Sequence, residues 1–476
     1  MTIRERMDRR RALKTLVAMG TGAVWPRNAS QGAPAAIVRP SIQLATFESD
    51  VTPPIGHACM GGGISPVLRV DDPVSVHGIV LLGSGDPIVI AAIDWCEVRN
   101  DAYETWRSAL AAACGTRAER VLFTSVHQHD VPVADLEAER ILERSKATGS
   151  ICDISFHAKV VDRAAKALRE GLQRARAVSH VGIGKAQVTG VASNRRFVGL
   201  DGKVQFNRTS STKDAVARAA PEGTMDPWLR TLSFWDGERP IAAISAYATH
   251  PMSYYGKGGV SADFVGLARK RRRDEDPGVF QIYVSGASGN VTAGKFNDGS
   301  PENRPRLTGR MHDAMTAAWK ATERHRLERL DFNRVDLRLE PRSSDGFAVA
   351  DLERRLATDP KPFGQCLAAM GLSWRKRADA SADASAGARI DVPGLDFGVA
   401  RYLVLPGESY VEYQLYAQAV RPDSFVVTAG YGECATGYVP TEKAWEEGDT
   451  NLGDWCWVAP GAEKAMKSAI EAALAR

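Results

Sequence analysis

The chain has 476 residues, 44% hydrophobic and 25% charged, with a formal net charge of +4. This is an ordinary globular balance, which excludes disordered, collagen-like and coiled-coil readings and leaves room for one large catalytic domain or two smaller ones. The basic excess lies in residues 1–40, which carry a net +6 and leave about −2 for the rest, so the overall charge lends no support to a nucleic-acid partner.

Residues 1–40 read as an export signal. Asp8-Arg9-Arg10-Arg11-Ala12-Leu13-Lys14 fits the twin-arginine pattern, the apolar stretch Thr15 to Trp25 follows, and small residues around Ala29 to Ala36 suit a signal peptidase. A periplasmic or secreted protein that folds before export is the expectation. A short basic amphipathic helix is the competing reading. No apolar run reaches the roughly 18 residues a membrane span needs.

From residue 41 to 476 a single catalytic domain is expected, in which short apolar runs alternate with helical stretches. Strands are predicted at Ile79 to Leu82, Pro87 to Ile93 and Val121 to Val126, with helices at Ala102 to Ala113 and Ala158 to Ala175. Strands follow at Ile241 to Tyr247, Phe280 to Val284, Val399 to Leu405 and Phe425 to Ala429. Helices are predicted at Pro305 to Glu323 and Gly461 to Ala475. The interleaving predicts an α/β protein, mixed β-sheets flanked by helices, with its active site at the carboxyl ends of strands. The basic run Arg269 to Arg273, answered by Asp274-Glu275-Asp276, reads as a solvated helix face. Residues 376–390, poor in apolar side chains, read as a mobile loop. Seven cysteines without a C-x-x-C pair leave room for one or two disulfides of unreadable connectivity. No repeat of 20–50 residues is visible.

Polar residues gather where the apolar strands end. Val121 to Val126 runs into His127-Gln128-His129-Asp130, and Ile241 to Ala248 into Thr249-His250-Pro251-Met252-Ser253-Tyr254. Phe280 to Val284 opens into the small-residue turn Ser285 to Thr292, Tyr402 to Leu405 meets Pro406-Gly407-Glu408, and Phe425 to Ala429 leads on to Gly437-Tyr438-Val439-Pro440-Thr441. Five strands thus offer candidate groups at the edge where α/β sites form. On an extended chain His127 and His129 face one side, roughly 6–7 Å apart, so one can bind a metal while the other moves protons. A pair of core histidines at a strand end is the bland alternative. His250 strengthens the metal reading because catalytic zinc usually takes three protein ligands, and Glu408 offers a carboxylate.

At these residues the chain resembles the catalytic domain of the neutral, non-lysosomal ceramidase family. Its T-H-T-H-S segment is similar to Ser125 to Asp130, its I-H-P-V-S to Thr249 to Ser253, and its N-S-D-N-x-G to Val260 to Gly266. Its P-G-E-F resembles Pro406 to Ser409, its H-Y-I-T-T resembles Gly437 to Thr441, and its N-R-S resembles Asn194 to Arg196, all in the same order. The resemblance implies Zn2+ held by His127, His250, Glu408 and Tyr438, with His129 as acid/base and Arg195 and Thr441 lining the substrate pocket. Asn290 and Tyr254 are further expected substrate contacts. Three departures stand out: the family serine becomes Thr292, which keeps a hydroxyl but adds a crowding methyl; Asp130 follows His129; and the family's immunoglobulin-like domain is expected to be missing.

The resulting expectation is a secreted zinc hydrolase of N-acyl amides, acting on a small-molecule, lipid or glycoconjugate substrate, with Thr292 orienting water or carbonyl. The aromatic and polar loops Tyr254 to Lys257 and Asp454 to Trp457 keep N-acylated sugars open as substrates. The Thr292 departure keeps open a metal-containing binding protein without turnover. Oligomeric state is not legible.

Overall fold

Each of the three main sheets is built on one pattern: three strands meandering antiparallel, a crossover helix, a fourth strand parallel to the third, and a closing helix. In the computed structural model, which describes residues 42–380 and 387–475, the first copy runs Gln43–Asp50, Ser75–Leu82, Ile88–Ile93, helix Asn100–Cys114, Val121–Ser125 and helix Ile154–Leu172. The second runs His180–Gln187, Trp228–Asp236, Arg239–Tyr247, helix Asp263–Glu275, Phe280–Ser285 and helix Asn303–Lys320. The third runs Asp331–Leu339, Ala388–Asp396, Ala400–Val404, helix Val411–Val420, Phe425–Ala429 and helix Ala462–Ala473, with helices Val349–Thr358 and Pro362–Asp379 inserted after its first strand. In all three the spatial order is fourth, third, second, first. Neighbours are antiparallel except the third and fourth, which are parallel. The closing helix packs back on the first strand of its own unit in every case.

The strand alternation explains how the sheets stack. Ile88, Ile90 and Ala92 face a core that also receives Ile244 and Ile282 from the second sheet and Tyr402 and Val427 from the third. Val89, Ala91 and Ile93 face the other way, into a core shared with the helices at Tyr103, Trp106, Val160 and Leu168. Period two thus divides one strand between two cores. Parallel strands covered on both faces read as unbroken apolar runs, as Ile88–Ile93 does. The helix Ile154–Leu172 starts where the Asp153 carboxylate accepts from the Phe156 amide at 2.9 Å.

The fold is α/β with mixed sheets flanked by helices, as the sequence predicts. Of the residues 376–390 expected as a loop, 376–379 belong to the helix Pro362–Asp379, and Ala388 pairs with Leu339. Residues 381–386 lie outside the described residues, as does the expected signal segment. All seven cysteines are unpaired thiols. Among the described residues no helix is long and apolar enough to cross a membrane.

Candidate metal and active site

The site forms where the three parallel edges meet. Their carboxyl ends are sewn together: the Ser125 amide donates to the Tyr431 carbonyl at 2.9 Å, Gly430 N–H to the Ser285 carbonyl at 2.8 Å, and the Ser285 hydroxyl to the Val126 carbonyl at 2.7 Å. Past this seam each unit makes a short parallel pairing between the exits of its third and fourth strands. Glu97 pairs with Val133, His250 with Thr292, and Glu408 with Tyr438. Gly289 is required in the second unit, because a Cβ there would lie 2.1 Å from the Glu408 carbonyl oxygen.

Three of these exits converge. Glu408 Oε2 lies 2.8 Å from His250 Nε2 and 3.4 Å from His127 Nε2, and all three side chains are at most 2% exposed. The opposite ring nitrogens are fixed by backbone carbonyls, His127 Nδ1 at 2.8 Å from the Cys96 oxygen and His250 Nδ1 at 2.7 Å from the Ser288 oxygen. Carbonyls on Nδ1 select the tautomer that leaves each Nε2 lone pair for the centre. Burial works against the Glu408 charge, yet the two imidazoles hold its carboxyl well below the usual range. Burial, then the charge of Arg195, pushes His250 down to about 3, so it stands neutral. Two imidazoles and a carboxylate, their donor atoms within 4.8 Å of one another, suit a zinc-sized cation, although, against burial, the Glu408 and Glu97 carboxylates hold His127 above its usual value in the absence of a cation.

His127 does not reach this place on an extended chain. The strand ends at Ser125 and His127 turns left-handed at φ 72°, so the extended spacing expected for His127 and His129 is replaced by rings 5.1 Å apart, edge to face. Tyr431, also left-handed at φ 57°, stacks on His127 at 4.3 Å and shares a 2.7 Å hydrogen bond with the Ser288 hydroxyl. Such backbone conformations are costly for these residues and persist where packing over-determines them. His129 is buried, and neither of its nitrogens has a hydrogen-bond partner. Burial and the neighbouring imidazoles push it well below the usual histidine value.

A cavity of about 230 Å3 opens over this cluster. Its polar part is His127, His129, Arg195, Glu408, Tyr438 and Asp454; its less polar part is Met60, Cys96, Met252, Tyr255, Phe363 and Trp455. Arg195 Nη1 donates to the Tyr438 hydroxyl at 2.5 Å, so the hydroxyl hydrogen remains available to a ligand oxygen. Burial raises the Tyr438 hydroxyl while Arg195 pulls it back.

Other expected contacts lie elsewhere. Tyr254 is not in the cavity wall; its carbonyl accepts from Arg304, and Tyr255 takes the place, 5.2 Å from the His129 ring. The Asn290 side chain is spent on Glu412 at 2.8 Å and the Val411 amide at 2.9 Å. Thr292 is fully buried beside His250, outside the lining, with its hydroxyl unpartnered. Thr441 precedes the helix Glu442–Glu446 and does not line the cavity. The sequence does not point to Cys96, Tyr431, Met60 or Phe363, whereas Trp455 lies in the loop Asp454 to Trp457 that it offers for substrate binding. Of the four unexpected residues only Tyr431 carries a signal, its place after a predicted strand.

The class these features define is a mixed α/β protein with a His/His/Glu centre at its parallel strand ends. The fold matches the crystal structure of neutral ceramidase from Pseudomonas aeruginosa, with TM-score 0.66 and 17% identity over 91% of this chain and 74% of that one. It matches a ceramidase complexed with C2 equally, with TM-score 0.66, 16% identity and the same coverage. No family model and no curated protein matches by sequence. This chain has the neutral ceramidase fold.

Proposed function

We propose that the protein is an exported zinc-dependent hydrolase that cleaves N-acyl amides of the ceramide type. The convergence of His127, His250 and Glu408 beneath a cavity that is polar at its base and apolar along its walls carries this reading. The shared fold supports it, and the twin-arginine segment supports export. Zinc, when bound, supplies Lewis acidity to the carbonyl and to the attacking water.

The chain's own groups divide the remaining work. His129, neutral and without another partner, takes a proton from the attacking water and delivers it to the leaving amine. Arg195 and the Tyr438 hydroxyl donate hydrogen bonds to the carbonyl oxygen as it gains negative charge. The apolar residues pack the alkyl substituent and exclude water. The Tyr438 hydroxyl, facing Arg195, also remains available as the fourth zinc ligand that the family resemblance implies.

The test is hydrolysis by purified, zinc-loaded protein of N-acyl sphingosines, N-acetylated sugars and simple aryl glycosides, followed as free amine, acid or phenol. Sphingosine release that a chelator abolishes is expected. Turnover of the sugars alone moves the substrate to glycoconjugates. Metal binding without turnover on any of them indicates a binding protein.

A further inference from the structure

The three-fold repetition of the fold makes Glu97, His250 and Glu408 equivalent, since each opens the short parallel pairing after its unit's third strand. Two of the three join the metal cluster. Glu97 is diverted: its Oε2 accepts from Arg99 Nη1 at 2.7 Å and its Oε1 from the indole N–H of Trp455 at 3.0 Å. Arg99 is itself fully buried and anchored, to Asp135 at 3.2 Å and to the carbonyls of Cys434 and Ala435 at 3.1 and 3.0 Å. Glu97 is therefore a rigid acceptor, held by a cation that cannot move away.

Trp455 is the other end of this bond. Its ring lines the cavity and stacks on Phe363 at 6.2 Å with 24° between planes. Phe363 and Met60 crowd the same point, where a Cβ on Gly63 would meet both within 2.8 Å. The Trp455 carbonyl also holds the Tyr438 amide at 2.9 Å. A single residue thus carries the catalytic tyrosine on its backbone and the apolar wall on its side chain.

We propose that Trp455 is a specificity-determining residue and Glu97 its positioning residue: the Glu97–Trp455 hydrogen bond fixes the indole as the wall against which the acyl chain next to the scissile amide packs. This rests on the N-acyl hydrolase reading. An indole whose N–H loses its acceptor is left with an unpaired donor in an apolar wall and swings to find another. Long acyl chains lose their contact surface, whereas an acetyl group, too short to reach the wall, does not.

The experiment is a double-mutant cycle with Trp455→Phe and Glu97→Leu, which removes the acceptor, read as kcat and KM on N-palmitoyl- and N-acetyl-sphingosine. Each single variant is expected to raise KM for the palmitoyl substrate roughly tenfold, with kcat and the acetyl KM within about threefold. The double variant should be no worse than Trp455→Phe, because Glu97 acts through the indole. Additive effects, an unchanged palmitoyl KM, or equal losses on both substrates would overturn the proposal. If the parent protein cleaves neither substrate, the hydrolase reading itself fails. Quenching of tryptophan fluorescence by palmitate then tests the wall alone: about tenfold weaker binding in Glu97→Leu supports it, and equal binding refutes it. Thermal unfolding of each variant separates these outcomes from misfolding.

Discussion

Asp130, directly after His129, offers a sharp test of the electrostatics around the site. Its Oδ1 accepts from the Gly256 amide at 2.8 Å, tying the His129 loop to the loop that carries Tyr255, and the residue is 4% exposed. Burial raises its carboxyl from 3.8 to about 6, with the nearby Asp263 and Asp71 adding to the shift against Gly256 and Arg304. A folded value above the unfolded one means that ionisation weakens the native state. The penalty is absent below the unfolded value, grows between about pH 4 and 6, and is complete by about pH 7. At about 1.36 kcal/mol per tenfold in proton affinity it amounts to about 3 kcal/mol. Asp130→Asn keeps the acceptor for Gly256 and removes the charge. The variant is expected to gain about 2–3 kcal/mol at pH 8 and little at pH 4. Urea unfolding of metal-stripped parent and variant across this range measures it. A gain that does not depend on pH, or a loss at pH 8, would refute the reasoning.

Three further outcomes follow from the geometry. His129→Gln should lower kcat by roughly 10²–10⁴-fold while zinc content, measured by elemental analysis, stays at the parent level. Gly289→Ala drives a methyl group into the Glu408 carbonyl; zinc affinity, measured by competition with a chromogenic chelator, should fall by at least about tenfold. Thr292→Val should leave kcat within about twofold and raise stability by about 1 kcal/mol, since it removes a buried hydroxyl without a partner. Loss of activity there, on otherwise folded protein, would restore the role its motif suggested.

What the sequence made legible was local. Strand ends marked by His127, His250 and Glu408 stand out because apolar runs break abruptly into ionisable residues, and the rigidity of strands makes their convergence readable in advance. Tyr438 was reachable only through family resemblance; its register beside Glu408 explains why it belongs there. The sequence points to Tyr254 where the structure presents Tyr255, because one residue of loop chain reverses which side chain faces the cavity, and no periodicity governs a loop. The aromatic wall joins Met60, Phe363 and Trp455, which share no sequence pattern and meet only through inserted helices and returning loops. The three-fold repetition escaped for a related reason. Its units agree in strand order and burial, which many residues satisfy equally well, while their loops and insertions differ in length.

The central claim is that three distant segments form one cation centre on which hydrolysis depends. Elemental analysis of purified, zinc-equilibrated parent and His250→Ala protein, alongside sphingosine release, tests it most directly. About one zinc per chain is expected in the parent, with metal and activity lost together in a variant that still folds. Activity without stoichiometric metal in the parent, or full zinc occupancy after removal of His250, would contradict it.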